Sequence, residues 1–136
     1  MTLSVDSSVV LAILKDENRG LDWLRLLNQR RTEARLVVCE VVYAEIAALF
    51  RSEPPLLEKL EKLAITYDAI EQETAYAAGQ IFARYRAAGG PRTSLIPDFL
   101  IGAHALRQAD GLLTPDRGYL RRYFTGLQIE QPSDKG

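Results

Sequence analysis

The chain has 136 residues, 47% of them hydrophobic, and a formal net charge of -1. That is enough apolar material for one continuous core in a single domain, and it excludes the global basic field that marks many nucleic-acid binders, so any polyanion contact must be local. Cys39 is the only cysteine, which excludes an intramolecular disulfide and a cysteine-based zinc site and fits a reducing compartment.

The opening "MTLSVDSSVVLAIL" lacks the basic start of a signal peptide, carries Asp6 inside its apolar stretch and is too short to span a bilayer, so a soluble, cytoplasmic protein with no membrane contact is expected. "TLSV" predicts a buried strand, and "DSS" offers capping side chains for a helix from near Val9 to near Leu14. "KDENRG" is a polar loop and "LDWLRLLNQRR" has helical periodicity. Its Leu21, Trp23, Leu24, Leu26 and Leu27 cover more of the helix than a single packed face needs, which suggests a second contact through Trp23.

"RLVVCE" predicts a second strand and "EVVYAEIAALF" a long, alanine-rich helix. "EPP" reads as a break and "LLEKLEKL" as a solvated amphipathic helix. "ITYDAI" is a weak extended segment, and "EQETAYAAGQIFARYRAA" is a helix with acids in its first turn and arginines in its last. After the loop "GGPRTSLI" come the helix "PDFLIGAHALRQAD", the strand "GLLT", the turn "PDRG", the short helix "YLRRYF" and the strand "LQIE". Strands alternating with helices predict an α/β fold, a three-layer α/β/α sandwich with a mainly parallel central sheet, whose ligands bind beyond the carboxyl ends of the strands.

Four acids sit in apolar company. Asp6 ends the first strand and Asp116 lies just past "GLLT", so both belong to that carboxyl edge. Glu45 has Val41, Val42, Ala48 and Leu49 at helical spacing, which places its carboxylate in a buried stripe. Asp98 opens a helix behind Pro97 and faces Ile101 and Gly102, the glycine leaving room for a close neighbour. Singly, each has a plain structural reading: a cap for Asp6, a cap or dipole partner for Asp98, a turn for Asp116 and a buried arginine partner for Glu45. Converging without a cation they would repel by roughly 4 kcal/mol per pair at 4 Å and an effective dielectric of 20. An all-oxygen set resolves this with a hard divalent ion, Mg2+ or Mn2+.

The segments "VDSSVVLAIL", "VVYAEIAALF", "IPDFLIGAHA" and "LLTPDRGYLRRYF", in this order, resemble the PIN domain, and most closely the VapC toxin ribonucleases of toxin and antitoxin pairs. The resemblance implies a Rossmann-like PIN domain over residues 1–130, with a flexible tail at 131–136. It implies a Mg2+-dependent endoribonuclease that hydrolyses RNA phosphodiester bonds, of tRNA or rRNA in its relatives, and is neutralised by a cognate VapB-like antitoxin. Asp6, Glu45, Asp98 and Asp116 stand at the family's acidic, metal-binding and catalytic positions, and Ser7 and Thr114 at hydroxyl positions that support those acids. A homodimer is a further implication. Gly118 departs from the pattern, since many relatives carry another acid there.

The chemistry suits these residues, because a carboxylate-bound magnesium polarises a phosphate oxygen and lowers the pKa of an attacking water, so no histidine base is required. His104 falls six residues after Asp98, turned away from it on a helix, and reads as a packing or surface residue. Arg84, Arg86 and Arg92 flank the loop that leads to Asp98 and form a candidate RNA-binding rim. A receiver domain would need an acidic pair after the first strand, a haloacid-dehalogenase-type phosphatase an aspartate where Ser8 stands, and a dinucleotide-binding domain a glycine-rich turn. The alternative from a different class is a PIN-like protein-binding module with weak or no catalysis.

Overall fold

Leu3, Ser4 and Val5, Leu36 to Val38, and Leu112 with Leu113 are each at most 3% exposed. Strands without a polar face are those covered on both sides, which is how a parallel sheet sits between helical layers. The computed structural model describes residues 1–92, 94–115 and 118–133. Its elements run β1 (Thr2–Val5), α1 (Ser7–Lys15), α2 (Gly20–Arg30), β2 (Arg35–Val38), α3 (Glu40–Ala47), α4 (Glu53–Lys62), β3 (Ile65–Tyr67), α5 (Gln72–Ala87), α6 (Ile96–Gln108), β4 (Gly111–Leu113), α7 (Gly118–Tyr123) and β5 (Ile129–Glu130).

The sheet order is β3-β2-β1-β4-β5 and every described pair is parallel. The three-layer α/β/α sandwich expected from the sequence is therefore present, with a sheet parallel throughout its described strands. The chain winds outward from β1 to β2 and β3, then crosses back to lay β4 on the other flank of β1. The gap between the carboxyl ends of β1 and β4 is thus the topological switch point, where open parallel sheets bind their ligands.

The "EPP" segment begins α4 rather than breaking the chain: Ser52 is its N-cap and prolines occupy its first turn. Proline is tolerated there because the first backbone N–H groups of a helix have no partner within the helix. At the α1–α2 junction Gly20 is required by a close approach, since a Cβ would run into the backbone carbonyl of Ala12. The room beside Gly102 is taken by Phe124, whose ring would lie 2.7 Å from an added Cβ.

Trp23 corrects an expectation. It is 4% exposed and packs in the core with Leu27, while Leu24 and Leu26 are half-buried and only Leu21 projects into solvent. The wide apolar arc of α2 serves the interior, so a second contact through Trp23 is set aside. Among the described residues no helix is long and apolar enough to cross a membrane.

Candidate active site

Asp6 follows directly on β1 and holds the N-cap position of α1 in an extended conformation, yet its side chain makes no capping hydrogen bond. The carboxylate is 3% exposed and is held by hydroxyl groups. Thr114 Oγ1 donates to Asp6 Oδ2 at 2.7 Å and Ser8 Oγ donates to the same oxygen at 3.2 Å. The Asp6 backbone N–H donates to the Leu113 carbonyl at 3.0 Å, continuing the β1–β4 ladder past its last pair, Val5 and Leu113. This clamp places the acid at the switch point. Neutral hydroxyl donors satisfy the oxygens of a buried carboxylate.

Ser7 reaches the next acid. Its Oγ donates to Glu45 Oε1 at 2.9 Å and stands 3.5 Å from Asp6 Oδ1, so the single hydroxyl proton serves Glu45 first. Glu45 is nevertheless not in a buried stripe. It is exposed, as are Ala48 and Leu49, because α3 ends at Ala47 and its apolar neighbours at three and four positions on lie beyond the helix. Ser7 joins it to Asp6 from the rim of the site.

Asp98 has the capping role. Its Oδ2 accepts the backbone N–H of Leu95 at 3.0 Å, and the Asp98 N–H donates to the Leu95 carbonyl at 3.0 Å, closing the first turn of α6. It nonetheless lines one small cleft with Asp6, together with Ile101, Leu112, Tyr119 and Leu120. Asp116 lies outside the described residues. Among the described residues no group of three or more His, Cys, Asp or Glu side chains is placed to hold a metal ion. The described donors are of the kind a hard cation takes, two carboxylates lining one cleft.

Ser7 thus bonds to Glu45 and Thr114 to Asp6, and Ser8 is a third hydroxyl on these acids, its signal in the sequence being the doubled serine after Asp6. Arg84 and Arg86 lie in the last turn of α5, Arg92 lies in the following loop, and all are exposed. His104 is wholly buried: Ser4 Oγ lies 3.2 Å from its Nδ1 and Asp68 Oδ2 lies 2.8 Å from its Nε2. It turns away from the acid cleft, as its spacing from Asp98 requires.

The chain belongs to the PIN domain family, whose model matches residues 3–124. PIN domains are in general nucleases that use divalent metal ions. Its fold is similar to that of a chain in VapBC2 from Rickettsia felis bound to a DNA fragment from its promoter, with a TM-score of 0.72 and 16% identity over 98% of this chain and 100% of that one. VapBC-1 from nontypeable Haemophilus influenzae matches with a TM-score of 0.70 and 20% identity over 96% of this chain and 98% of that one. FitAcB from Neisseria gonorrhoeae matches with a TM-score of 0.66 and 19% identity over 95% of this chain and 96% of that one. No curated protein matches the chain in sequence.

Proposed function

We propose that the chain is a VapC-type toxin, a Mg2+-dependent endoribonuclease that hydrolyses RNA phosphodiester bonds in the cytoplasm and is silenced by a cognate VapB-like antitoxin. The observation that carries this reading is the buried Asp6 carboxylate, held by Thr114 and Ser8 at the switch point and sharing a cleft with Asp98. Asp6, Asp98, Asp116 and Glu45 would hold the ion, with Mn2+ as a substitute. When bound, the ion supplies positive charge to a phosphate oxygen and lowers the pKa of an attacking water.

The chain's own residues set the rest. Thr114 and Ser8 fix the orientation of Asp6 through hydroxyl hydrogen bonds. The Leu95 N–H fixes Asp98, and Ser7 holds Glu45 near Asp6. Arg84, Arg86 and Arg92 offer exposed cations to the RNA backbone. The likeness of the fold to chains of VapBC complexes supports the antitoxin as partner, and a homodimer completes the proposal.

The test incubates purified, antitoxin-free protein with total RNA in magnesium, manganese or chelator, alongside Asp98→Asn. Cleavage that needs the ion, is lost in the variant and leaves 5′-phosphate and 3′-hydroxyl ends is expected. A 2′,3′-cyclic phosphate, or cleavage that persists in chelator, contradicts the metal mechanism. Intact RNA throughout favours a protein-binding module.

A further inference from the structure

A second, larger cleft of about 490 Å3 opens between α7 and the loop that follows α5. Tyr85, Tyr119 and Tyr123 wall it with the Arg122 guanidinium, and the backbone of Gly89 and Gly90 closes the other side. The wall is fastened in place. Gly90 lies so close to the Tyr85 ring that an added Cβ would come within 2.5 Å of it, and the Tyr85 hydroxyl donates to the Pro91 carbonyl at 2.6 Å. The rings of Tyr85 and Tyr123 meet edge to face at 5.3 Å, and the Arg122 guanidinium carbon lies 5.6 Å from the Tyr123 centroid.

The charge pattern selects the occupant. The described residues lining the cleft include an arginine and no carboxylate, and along the chain the exposed Arg86 and Arg92 flank its lining residues Ala88 to Pro91. Aromatic rings beside guanidinium planes stack unpaired bases, and cations at the rim take the phosphates between them. Tyr119 fixes the position relative to the acids, because it lines both this cleft and the one that holds Asp6 and Asp98.

We infer that this cleft receives one unstacked nucleobase of a single-stranded RNA whose neighbouring phosphate is presented to Asp6 and Asp98, with Tyr119 and Tyr123 as the residues that hold the base and Arg122 as the cation that takes an adjoining phosphate. The inference rests on the ribonuclease reading and adds to it a reason for cleavage at chosen positions. An acidic peptide occupying the same cleft is the competing outcome.

The experiment uses the full chain in chelator, so that RNA binds without being cut. The probe is a short fluorescein-labelled single-stranded RNA, intact or with one abasic nucleotide moved along its length. Loss of the base at one position is expected to weaken binding about tenfold, with little effect elsewhere. Tyr123→Ala should erase that difference and Tyr123→Phe should keep it. The exposed Arg122→Gln should weaken all the RNAs alike and lower the salt slope, a readout that holds if Tyr123→Ala does not fold. Equal binding of every abasic RNA overturns the inference. If total RNA is still cleaved in magnesium in that case, the ribonuclease reading stands without it. RNA that neither binds in chelator nor is cut in magnesium removes both, and an acidic peptide that binds where RNA does not removes the nucleobase.

Discussion

Thr114 donates its hydroxyl hydrogen to Asp6 Oδ2 at 2.7 Å, linking the residues just beyond the carboxyl ends of β1 and β4. Both groups are buried, at 0% exposure for Thr114 and 3% for Asp6, so the bond cannot be exchanged for one to bulk water at no cost. Thr114→Val keeps the shape and removes the donor. It is expected to destabilise the fold by about 1.5–3 kcal/mol, the range for hydrogen bonds to charged groups, while Thr114→Ser recovers most of that. Denaturant titration of the three chains checks this. Equal midpoints for the valine and serine variants would remove the clamp from the account.

Asp98 separates a structural duty from a chemical one. The oxygen that accepts the Leu95 N–H survives as an amide oxygen in Asp98→Asn, whereas Asp98→Ala loses it. The alanine chain should therefore melt earlier, by the equivalent of about 1 kcal/mol, with the asparagine chain near the parent. Cleavage should be lost in both. Thermal melts beside an RNA cleavage assay distinguish the two duties, and an active asparagine variant would leave Asp98 with capping alone.

The strands and most helices were legible because their signals are local: apolar runs bounded by polar loops, and prolines or acids at helix starts. Asp6 was legible at the carboxyl edge because a parallel sheet fixes where an acid after a strand must lie. Glu45 was misread for a physical reason, since counting neighbours at helical spacing assumes that the helix continues, and α3 stops at Ala47. Trp23 was misread because the arc of apolar residues on α2 does not state how many sides the core will cover. Nor could spacing reveal the partners of His104: Ser4 is 100 residues away and Asp68 36 residues away. The aromatic cleft likewise joins side chains from α5 and α7, whose approach is a property of the fold.

Cys39 sits at the carboxyl end of β2 as the N-cap of α3, a place where helix N–H groups favour a thiolate. Burial wins instead: desolvation pushes the thiol above its ordinary range despite the opposing influence of the backbone N–H groups of Val42 and Val41, and the residue is 0% exposed. At neutral pH the folded chain should react with a thiol-specific disulfide reagent far more slowly than the unfolded chain. Raising the pH to ordinary thiol values should accelerate the native reaction less than that of a free thiol. A native rate matching the denatured rate would show that Cys39 is reachable.

The Ser4–His104–Asp68 chain joins the elements that carry the two described acids of the cleft, because Ser4 is on β1 two residues before Asp6 and His104 is on the helix that Asp98 opens. Gln108 Nε2 donates to Asp68 Oδ2 at 3.2 Å, so the carboxylate at the end of β3 gathers two side chains of α6. His104→Ala empties a fully buried position and takes one partner from both Ser4 and Asp68. The combined cavity and hydrogen-bond loss should cost about 2–4 kcal/mol. His104 does not line the acid cleft. Cleavage per folded molecule, measured well below the variant's melting temperature, should therefore fall by much less than in Asp98→Asn, and Mg2+ affinity by isothermal titration should change little. His104→Gln, which can still bond to one neighbour, should fall between the parent and the alanine variant in stability. A histidine variant as stable as the parent but unable to cleave RNA would place His104 in the chemistry and overturn the division between the buried network that aligns β1 with α6 and the acids at their ends.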